Sequence, residues 1–124
     1  MVRVIVLADD LIWSTRLIEH VRAAGGDGAP VRTIGALSQA LPAADAVIVD
    51  LTARAYDGVV AVRRAAEAGR RVLAVGQHDD HVLRRRALAA GAEHVYAYRK
   101  LFEDGPATLA AWLSRPAGAG RPDR

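Results

Sequence analysis

Acidic residues directly follow two short apolar runs of the sequence. Val4–Ala8 is followed by Asp9 and Asp10, and Ala46–Val49 is followed by Asp50. Short runs of Val, Ile, Leu and Ala bounded by polar residues are typical of strands buried on both faces of a parallel sheet. Because ligands bind at the carboxyl ends of such strands, we expect the three acids to share one pocket. Two carboxylates about 4 Å apart repel by roughly 4 kcal/mol at an effective dielectric near 20. A cation, a basic side chain or a shifted pKa must therefore reduce this repulsion.

Composition limits the classes of protein to which the chain can belong. Its 124 residues are 52% hydrophobic and 25% charged, which is ordinary for one globular domain. The absence of cysteine excludes disulfides, thiolate catalysis and Cys-ligated zinc, and it fits a reducing compartment. The first apolar run ends at Asp9, which is too early for a signal sequence or a membrane span. We therefore expect a cytoplasmic protein with no membrane association.

The chain is basic, with a net charge of +3 and a pI of about 9.9. Such a charge permits nucleic-acid binding, but the basic residues occur in short pairs and aromatic residues make up only 5% of the chain. The pattern favours solvated helix faces, so nucleic acid is not the expected partner.

Apolar runs and helical patterns alternate along the chain. The expected strands are Val4–Ala8, Val31–Ile34, Ala46–Val49, Val72–Val75 and Val95–Ala97. The expected helices are Ile12–Ala24, Leu37–Leu41, Tyr56–Ala68, His81–Ala90 and a last one opened by Asp104-Gly105-Pro106. Five βα units predict an α/β fold, a flavodoxin-like doubly wound five-stranded parallel sheet in the order 2-1-3-4-5 with helices on both faces. We expect one domain over residues 1–114 and a disordered tail over 115–124.

Further stretches carry a resemblance to a known family. An Asp57-Gly58 pair lies seven and eight residues after Asp50, and Val72–Asp80 and Ala89–His94 follow in order. Over residues 3–114 the chain resembles the receiver domain of bacterial two-component response regulators (a CheY-like fold).

The resemblance implies roles for the acids. Asp50 matches the phosphoacceptor, Asp9 and Asp10 match the pair that holds Mg²⁺, and the backbone carbonyl of Thr52 matches the remaining protein ligand. Those roles agree with the chemistry, since Mg²⁺ prefers carboxylate oxygens and a carboxylate can attack a metal-bound phosphoryl donor.

The chain departs from the family pattern at the positions that normally transmit the signal. Gly76 stands where the family has a hydroxyl residue, Tyr98 where it has a lysine, and Val95 where it has an aromatic switch. A shift of one residue would instead align Arg99 with the lysine and Tyr96 with the switch. Losing such a stabiliser commonly costs several kcal/mol in the transition state. The resemblance therefore implies an atypical receiver, or pseudo-receiver, in which phosphotransfer is weak or absent.

Several other residues near the predicted pocket have two interpretations. Arg54 and Arg99 are hypothetical replacements for the missing lysine, and the alternative is that both are solvated. His78–His81 contains metal-capable groups, but consecutive residues rarely face one ion, so a helix cap is favoured for its acids. Leu11 is expected either beside the pocket as an apolar rim or partly buried, and Trp13 is expected in the core.

These observations lead to one favoured function and two alternatives. We expect no enzyme but a stand-alone signalling module, because nothing after Ser114 is expected to fold. It would bind a sensor kinase or downstream regulator, or form a homodimer through the face made by helix 4, strand 5 and helix 5. The first alternative is a Mg²⁺-dependent receiver phosphorylated on Asp50. The second is a small-ligand-binding flavodoxin-like domain, against which the lack of a glycine-rich loop after the first strand argues.

Overall fold

The computed structural model describes residues 1–115, in which strands and helices alternate. The strands are β1 (Arg3–Leu7), β2 (Asp27–Val31), β3 (Ala46–Asp50), β4 (Arg71–Gly76) and β5 (His94–Ala97). The helices are α1 (Leu11–Ala23), α2 (Ile34–Ala40), α3 (Gly58–Glu67), α4 (His81–Ala90) and α5 (Tyr98–Leu113), with a short 3₁₀ helix at Leu41–Ala43. Among residues 1–115, none of the helices has the length and apolar character needed to cross a membrane. Apart from Arg115, the predicted tail lies outside the described residues.

All five strands are parallel and follow the order β2-β1-β3-β4-β5, as predicted. The three central strands are almost wholly buried because helices cover both faces of the sheet. One face packs against α1 and α5 through residues such as Leu17, Leu109 and Trp112. The other packs against α2, α3 and α4 through Leu37, Val62 and Ala87. The sheet is therefore doubly wound, and the carboxyl ends of β1 and β3 lie next to each other.

The predicted second strand is wrong in its bounds. Val31–Ile34 was expected, whereas β2 is Asp27–Val31, a segment containing glycine and proline. Because β2 is an edge strand paired only with β1, Pro30 is tolerated there without its N–H group. Thr33 then caps α2, its hydroxyl accepting a hydrogen bond from the Ala36 N–H at 3.0 Å, so Ile34 begins a helix.

The last helix begins six residues before the predicted start at Asp104. It starts at Tyr98 and is kinked at Asp104, whose φ of −144° and ψ of 33° are not helical. Directly after the kink, α5 lies close to α1, and a Cβ on Gly105 would lie 2.6 Å from the His20 ring. The early first turn matters for the site, because it places Tyr98 at the carboxyl edge of the sheet.

Arg71 fixes the opposite edge of the sheet. Its guanidinium pairs with Glu93 at 3.0 Å and donates hydrogen bonds to the backbone carbonyls of Trp112 and Arg115 at 2.8 and 2.7 Å. It also lies 5.1 Å from the centre of the Trp112 ring. We call this set the Arg71 clamp; it ties β4, the start of β5 and the end of α5 together.

Candidate functional site

The three predicted acids lie around one cavity at the carboxyl edge of the sheet. The cavity has a volume of about 480 Å³ and is lined by Asp9, Asp10, Trp13, Asp50, Thr52, Arg54, Gln77 and Tyr98. The acids meet there because β1 and β3 are adjacent and parallel, so both strands end at the same edge. The hydrogen bonds of each acid show how its negative charge is accommodated.

Asp9 binds the loop that follows β3. Its Oδ2 accepts hydrogen bonds from the backbone N–H groups of Arg54 and Ala55, at 2.9 and 3.1 Å. Two backbone dipoles therefore face this carboxylate, and they hold the loop over the end of β1.

Asp10 caps α1. Its Oδ1 accepts a hydrogen bond from the Trp13 N–H at 2.9 Å, and its backbone is extended, as an N-cap residue requires. The helix N-terminus also stabilises a negative charge at this place. The resemblance assigns Asp10 to Mg²⁺, and the structure shows a second use for the same carboxylate.

Asp50 is the buried member of the three, with 4% of its surface exposed. Its Oδ1 accepts hydrogen bonds from the Thr52 N–H and the Thr52 hydroxyl, both at 3.0 Å, and from the Tyr98 hydroxyl. The Tyr98 and Thr52 hydroxyls also contact each other. Hydrogen bonds to a charged group are worth more than neutral ones, so three donors on one oxygen stabilise this buried carboxylate.

Tyr98 reaches the site from the first turn of α5. Its ring stands edge-on to Trp13, with ring centres 5.1 Å apart and an interplanar angle of 70°. Burial, followed by the hydrogen bond to the Asp50 carboxylate, raises the pKa of Tyr98 above the ordinary phenol value. Tyr98 is therefore a neutral hydrogen-bond donor at neutral pH and adds no positive charge to the cavity.

Tyr56 lies directly behind the acids, a role that sequence reasoning missed by assigning Tyr56 to a helix. It is 9% exposed, and its hydroxyl lies 3.0 Å from the carbonyl oxygen of Leu7 and 2.8 Å from that of Asp50. The hydroxyl thus joins the ends of β1 and β3. Burial, with smaller effects from Asp50 and Asp9, raises the pKa of Tyr56.

The Asp57-Gly58 pair has a local structural explanation. Asp57 caps α3, its Oδ1 accepting from the N–H groups of Val59 and Val60 at 3.0 and 3.2 Å. A Cβ on Gly58 would lie 2.8 Å from the Leu51 Cα, which is too close for any side chain. The pair therefore folds the β3–α3 loop that covers Asp9.

Of the positions that depart from the family pattern, Gly76 ends β4, Val95 lies within β5 and Tyr98 directly follows β5. Gly76 is buried, and a Cβ there would meet the Leu51 side chain at 3.4 Å, an ordinary contact. The backbone therefore permits a hydroxyl residue at this position, although the chain lacks one. Val95 is buried against the α4 layer, beside a cavity of about 90 Å³ that Gly76 and Arg84 also line.

The two arginines proposed as counter-charges lie in different places. Arg54 is exposed and lines the acid cavity, where its backbone N–H binds Asp9. Arg99 faces outward and pairs with Glu103 at 2.8 Å, with 86% of its side chain exposed. The sequence left two alignments open. In the alignment that puts Tyr98 in the place of the lysine, the side chain at that position contacts Asp50.

Of the other residues singled out from the sequence, only Trp13 lines the acid cavity. Asp80 caps α4 by accepting from the Leu83 N–H at 3.0 Å, the structural role favoured for this segment. Leu11 is exposed but does not line the acid cavity, so its role as an apolar rim stays a prediction. Trp13 is half-buried and lines the cavity instead of lying fully in the core.

The arrangement of the acids does not fit a three-carboxylate Mg²⁺ site. Their oxygens are the ligand type that Mg²⁺ prefers. However, across residues 1–115 no three His, Asp or Glu side chains are grouped so that they could hold a metal. Each of Asp9, Asp10 and Asp50 instead gives one oxygen to protein donors. Thr52 contributes its hydroxyl and N–H to Asp50, and the ligand role of its carbonyl stays a prediction.

Comparison with known proteins identifies the fold. Neither a protein-family model nor a curated protein matches the sequence. Among solved structures, the BeF3-activated DrrB receiver domain is 20% identical, with a TM-score of 0.80 and coverage of 93% of this chain and 99% of that one. The receiver domain of TorR, the response regulator of the TMAO respiratory system, is 15% identical with a TM-score of 0.80, covering 91% and 97%.

A third neighbour comes from Colwellia psychrerythraea 34H. It is the signal receiver domain of a DNA-binding response regulator protein, 18% identical with a TM-score of 0.78, covering 93% of this chain and all of that one. At these identities the likeness concerns the fold alone. The chain has the CheY-like fold of response regulator receiver domains.

Proposed function

We propose that this protein is an atypical receiver module that acts by binding another protein, with phosphotransfer to Asp50 weak or absent. One observation supports this most directly: Asp50, the residue aligned with the phosphoacceptor, already has Oδ1 occupied by the hydroxyls of Tyr98 and Thr52. The fold supports the class of module that we propose, and the contacts of Asp50 support the proposed low reactivity.

Charge at the cavity supports the same proposal. A phosphoryl group would add negative charge beside three carboxylates. Of the described residues that line the cavity, Arg54 alone is basic. Gly76 has no hydroxyl to donate to a phosphoryl oxygen, and Tyr98 is a neutral donor. Removing a single donor to a developing oxyanion typically costs about 2.7–4 kcal/mol in the transition state, so slow transfer is the expected result.

We further propose that partner contact uses the face formed by α4, β5 and α5. On α4, Val82 and Leu88 are 60% and 40% exposed, and Arg85 and Arg86 are exposed beside them. Apolar side chains with basic neighbours suit a sensor kinase or downstream regulator that offers an apolar, acidic surface, or a second copy of the chain. The module itself would catalyse no reaction.

Phosphorylation can be tested directly. The protein is incubated with acetyl phosphate, with and without Mg²⁺, and its intact mass is measured beside that of Asp50→Ala and of a conventional receiver domain. We expect no phosphoryl adduct, or one far less abundant than in the conventional domain. A stoichiometric adduct that requires Mg²⁺ and disappears in Asp50→Ala would contradict the proposal.

That contrary result would establish the second candidate, a Mg²⁺-dependent receiver phosphorylated on Asp50. The observation favouring it is that Oδ2 of Asp50 accepts no hydrogen bond from residues 1–115, while all three acids line one cavity. One oxygen of the nucleophile thus stays available even while Tyr98 holds the other.

A further inference from the structure

We propose that the Tyr98 hydroxyl acts as an internal lock, occupying Asp50 in place of an external ligand and holding the β5–α5 junction against the end of β3. The proposal deepens the proposed function, on which it rests, by naming the residue that keeps Asp50 from metal and phosphoryl donors.

The lock connects distant parts of the chain. Tyr98 and Asp50 are 48 residues apart, and Tyr98 and Thr52 are 46 apart. β3 and β5 are not adjacent, since β4 lies between them. The hydroxyl contacts therefore bridge across the edge of β4, at the end where Gly76 has no side chain.

The two hydroxyl protons determine which hydrogen bonds the lock makes. Tyr98 donates its one proton to Asp50, and Thr52 donates its own either to Asp50 or to the Tyr98 oxygen. With the Thr52 N–H added, Oδ1 of Asp50 has its hydrogen bonds supplied by the protein. A cation bound through Oδ1 would have to displace at least one of these donors, and a cation bound through Oδ2 would meet a carboxylate whose charge these donors already stabilise. The lock therefore lowers the affinity of the cavity for Mg²⁺.

The ring of Tyr98 is held separately from its hydroxyl. It packs edge-on against Trp13, whose indole N–H is buried and has no hydrogen-bond partner within residues 1–115. A phenylalanine at position 98 would retain this aromatic contact and remove only the donor to Asp50. Tyr98→Phe is thus a selective change, and Trp13 is a fluorescent reporter beside it.

The test compares two Tyr→Phe variants with the wild type. Tyr98→Phe removes the lock, and Tyr96→Phe removes a phenol two residues earlier whose hydroxyl makes no hydrogen bond to residues 1–115 and whose ring stacks on His94 at 5.3 Å. Mg²⁺ binding is measured by calorimetry and tryptophan fluorescence on the full chain. We expect Tyr98→Phe to bind Mg²⁺ about tenfold or more tightly than the wild type, because a hydrogen bond to a charged group no longer competes. Tyr96→Phe should match the wild type.

Equal Mg²⁺ affinity in the wild type and Tyr98→Phe would overturn the lock. If Tyr98→Phe does not fold, NMR of the wild type decides, since the lock requires a Tyr98 hydroxyl proton close to the Thr52 side chain at neutral pH. Absence of that proximity would overturn the proposal. The outcome is separate from that of the phosphorylation assay: a wild type that stays unphosphorylated but binds Mg²⁺ as tightly as Tyr98→Phe would overturn the lock and leave the proposed function standing.

Discussion

Each carboxylate of the cavity meets a different kind of neutral donor. Asp9 has backbone N–H groups, Asp10 has a helix N-terminus, and Asp50 has two hydroxyls and an N–H. The repulsion expected from the sequence is therefore accommodated by dipoles within the protein. The resemblance implied that a cation would balance these charges. In the structure neutral donors do so, and the Tyr98 hydroxyl is one of them.

The raised pKa values of Tyr98 and Tyr56 give a pH prediction. Because burial favours the neutral phenol in the folded state, the stability that these groups contribute is present below their ordinary pKa of 10 and is lost as pH rises through the higher folded values. We expect at most one of the three tyrosines to ionise before alkaline unfolding. Ultraviolet absorbance of phenolate measures this, alongside circular dichroism to mark unfolding. Ionisation of two or more tyrosines in the folded protein would contradict it.

The residue scale also shows what the sequence could predict about the site. Convergence of Asp9, Asp10 and Asp50 was predictable because the apolar runs before them indicate parallel strands ending at one edge. The contacts of Tyr98 and Tyr56 were not, since they depend on side-chain direction across long separations. A signal for Tyr98 did exist: it follows directly after the predicted fifth strand, at the same edge as the acids.

At the scale of elements, the predicted bounds agree best with the structure where a capping residue and an apolar pattern coincide. The bounds of α4 are those predicted, because Asp80 caps it and Gly91 ends it. β2 was misplaced because the most apolar residues nearby, Val31 and Ile34, lie on either side of a helix start. Asp27–Val31 forms the strand because it pairs with β1 at the edge of the sheet, which a local pattern does not reveal.

The junction between α1 and α5 depends on a missing side chain. Gly105→Ala would place a Cβ within 2.6–2.8 Å of the His20 ring, which requires the ring or the helix to move. Overpacking of this kind costs about 1–3 kcal/mol, so we expect the free energy of unfolding to fall by that amount in urea titrations.

A matched pair identifies the cause of that loss. In a His20→Ala background the ring is absent, and Gly105→Ala should then cost less than it does in the wild type. An equal cost in both backgrounds would show that His20 is not the group that requires glycine.

At the scale of the whole molecule, the sheet has two differently built edges. The carboxyl edge carries the acid cavity, while the amino edge carries the Arg71 clamp, whose Arg71 and Glu93 side chains are only 12% and 3% exposed. The order of strands and the two helix layers could be predicted from the alternation of apolar runs and helical patterns. The clamp could not, because nothing local in the sequence links Arg71 to Trp112.

Breaking the clamp should destabilise the entire fold. Glu93→Ala leaves the Arg71 guanidinium buried without its carboxylate, and removing one partner of a buried pair typically costs about 3–5 kcal/mol. Urea unfolding measures the loss. The exposed pair of Arg99 and Glu103 offers the control, since Glu103→Ala should cost no more than about 1 kcal/mol. Similar costs for the two variants would contradict the role assigned to the clamp.

The clamp also sets where anything joined beyond residue 115 must begin. Because Arg71 holds the carbonyls of Trp112 and Arg115, that point lies by the amino edge of the sheet, and β4, with its six residues, separates it from Gly76 at the other edge. At about 3.3 Å per residue the intervening distance is roughly 16 Å. A dye or surface tether coupled to Arg115 would therefore be attached at the edge of the sheet opposite the acid cavity.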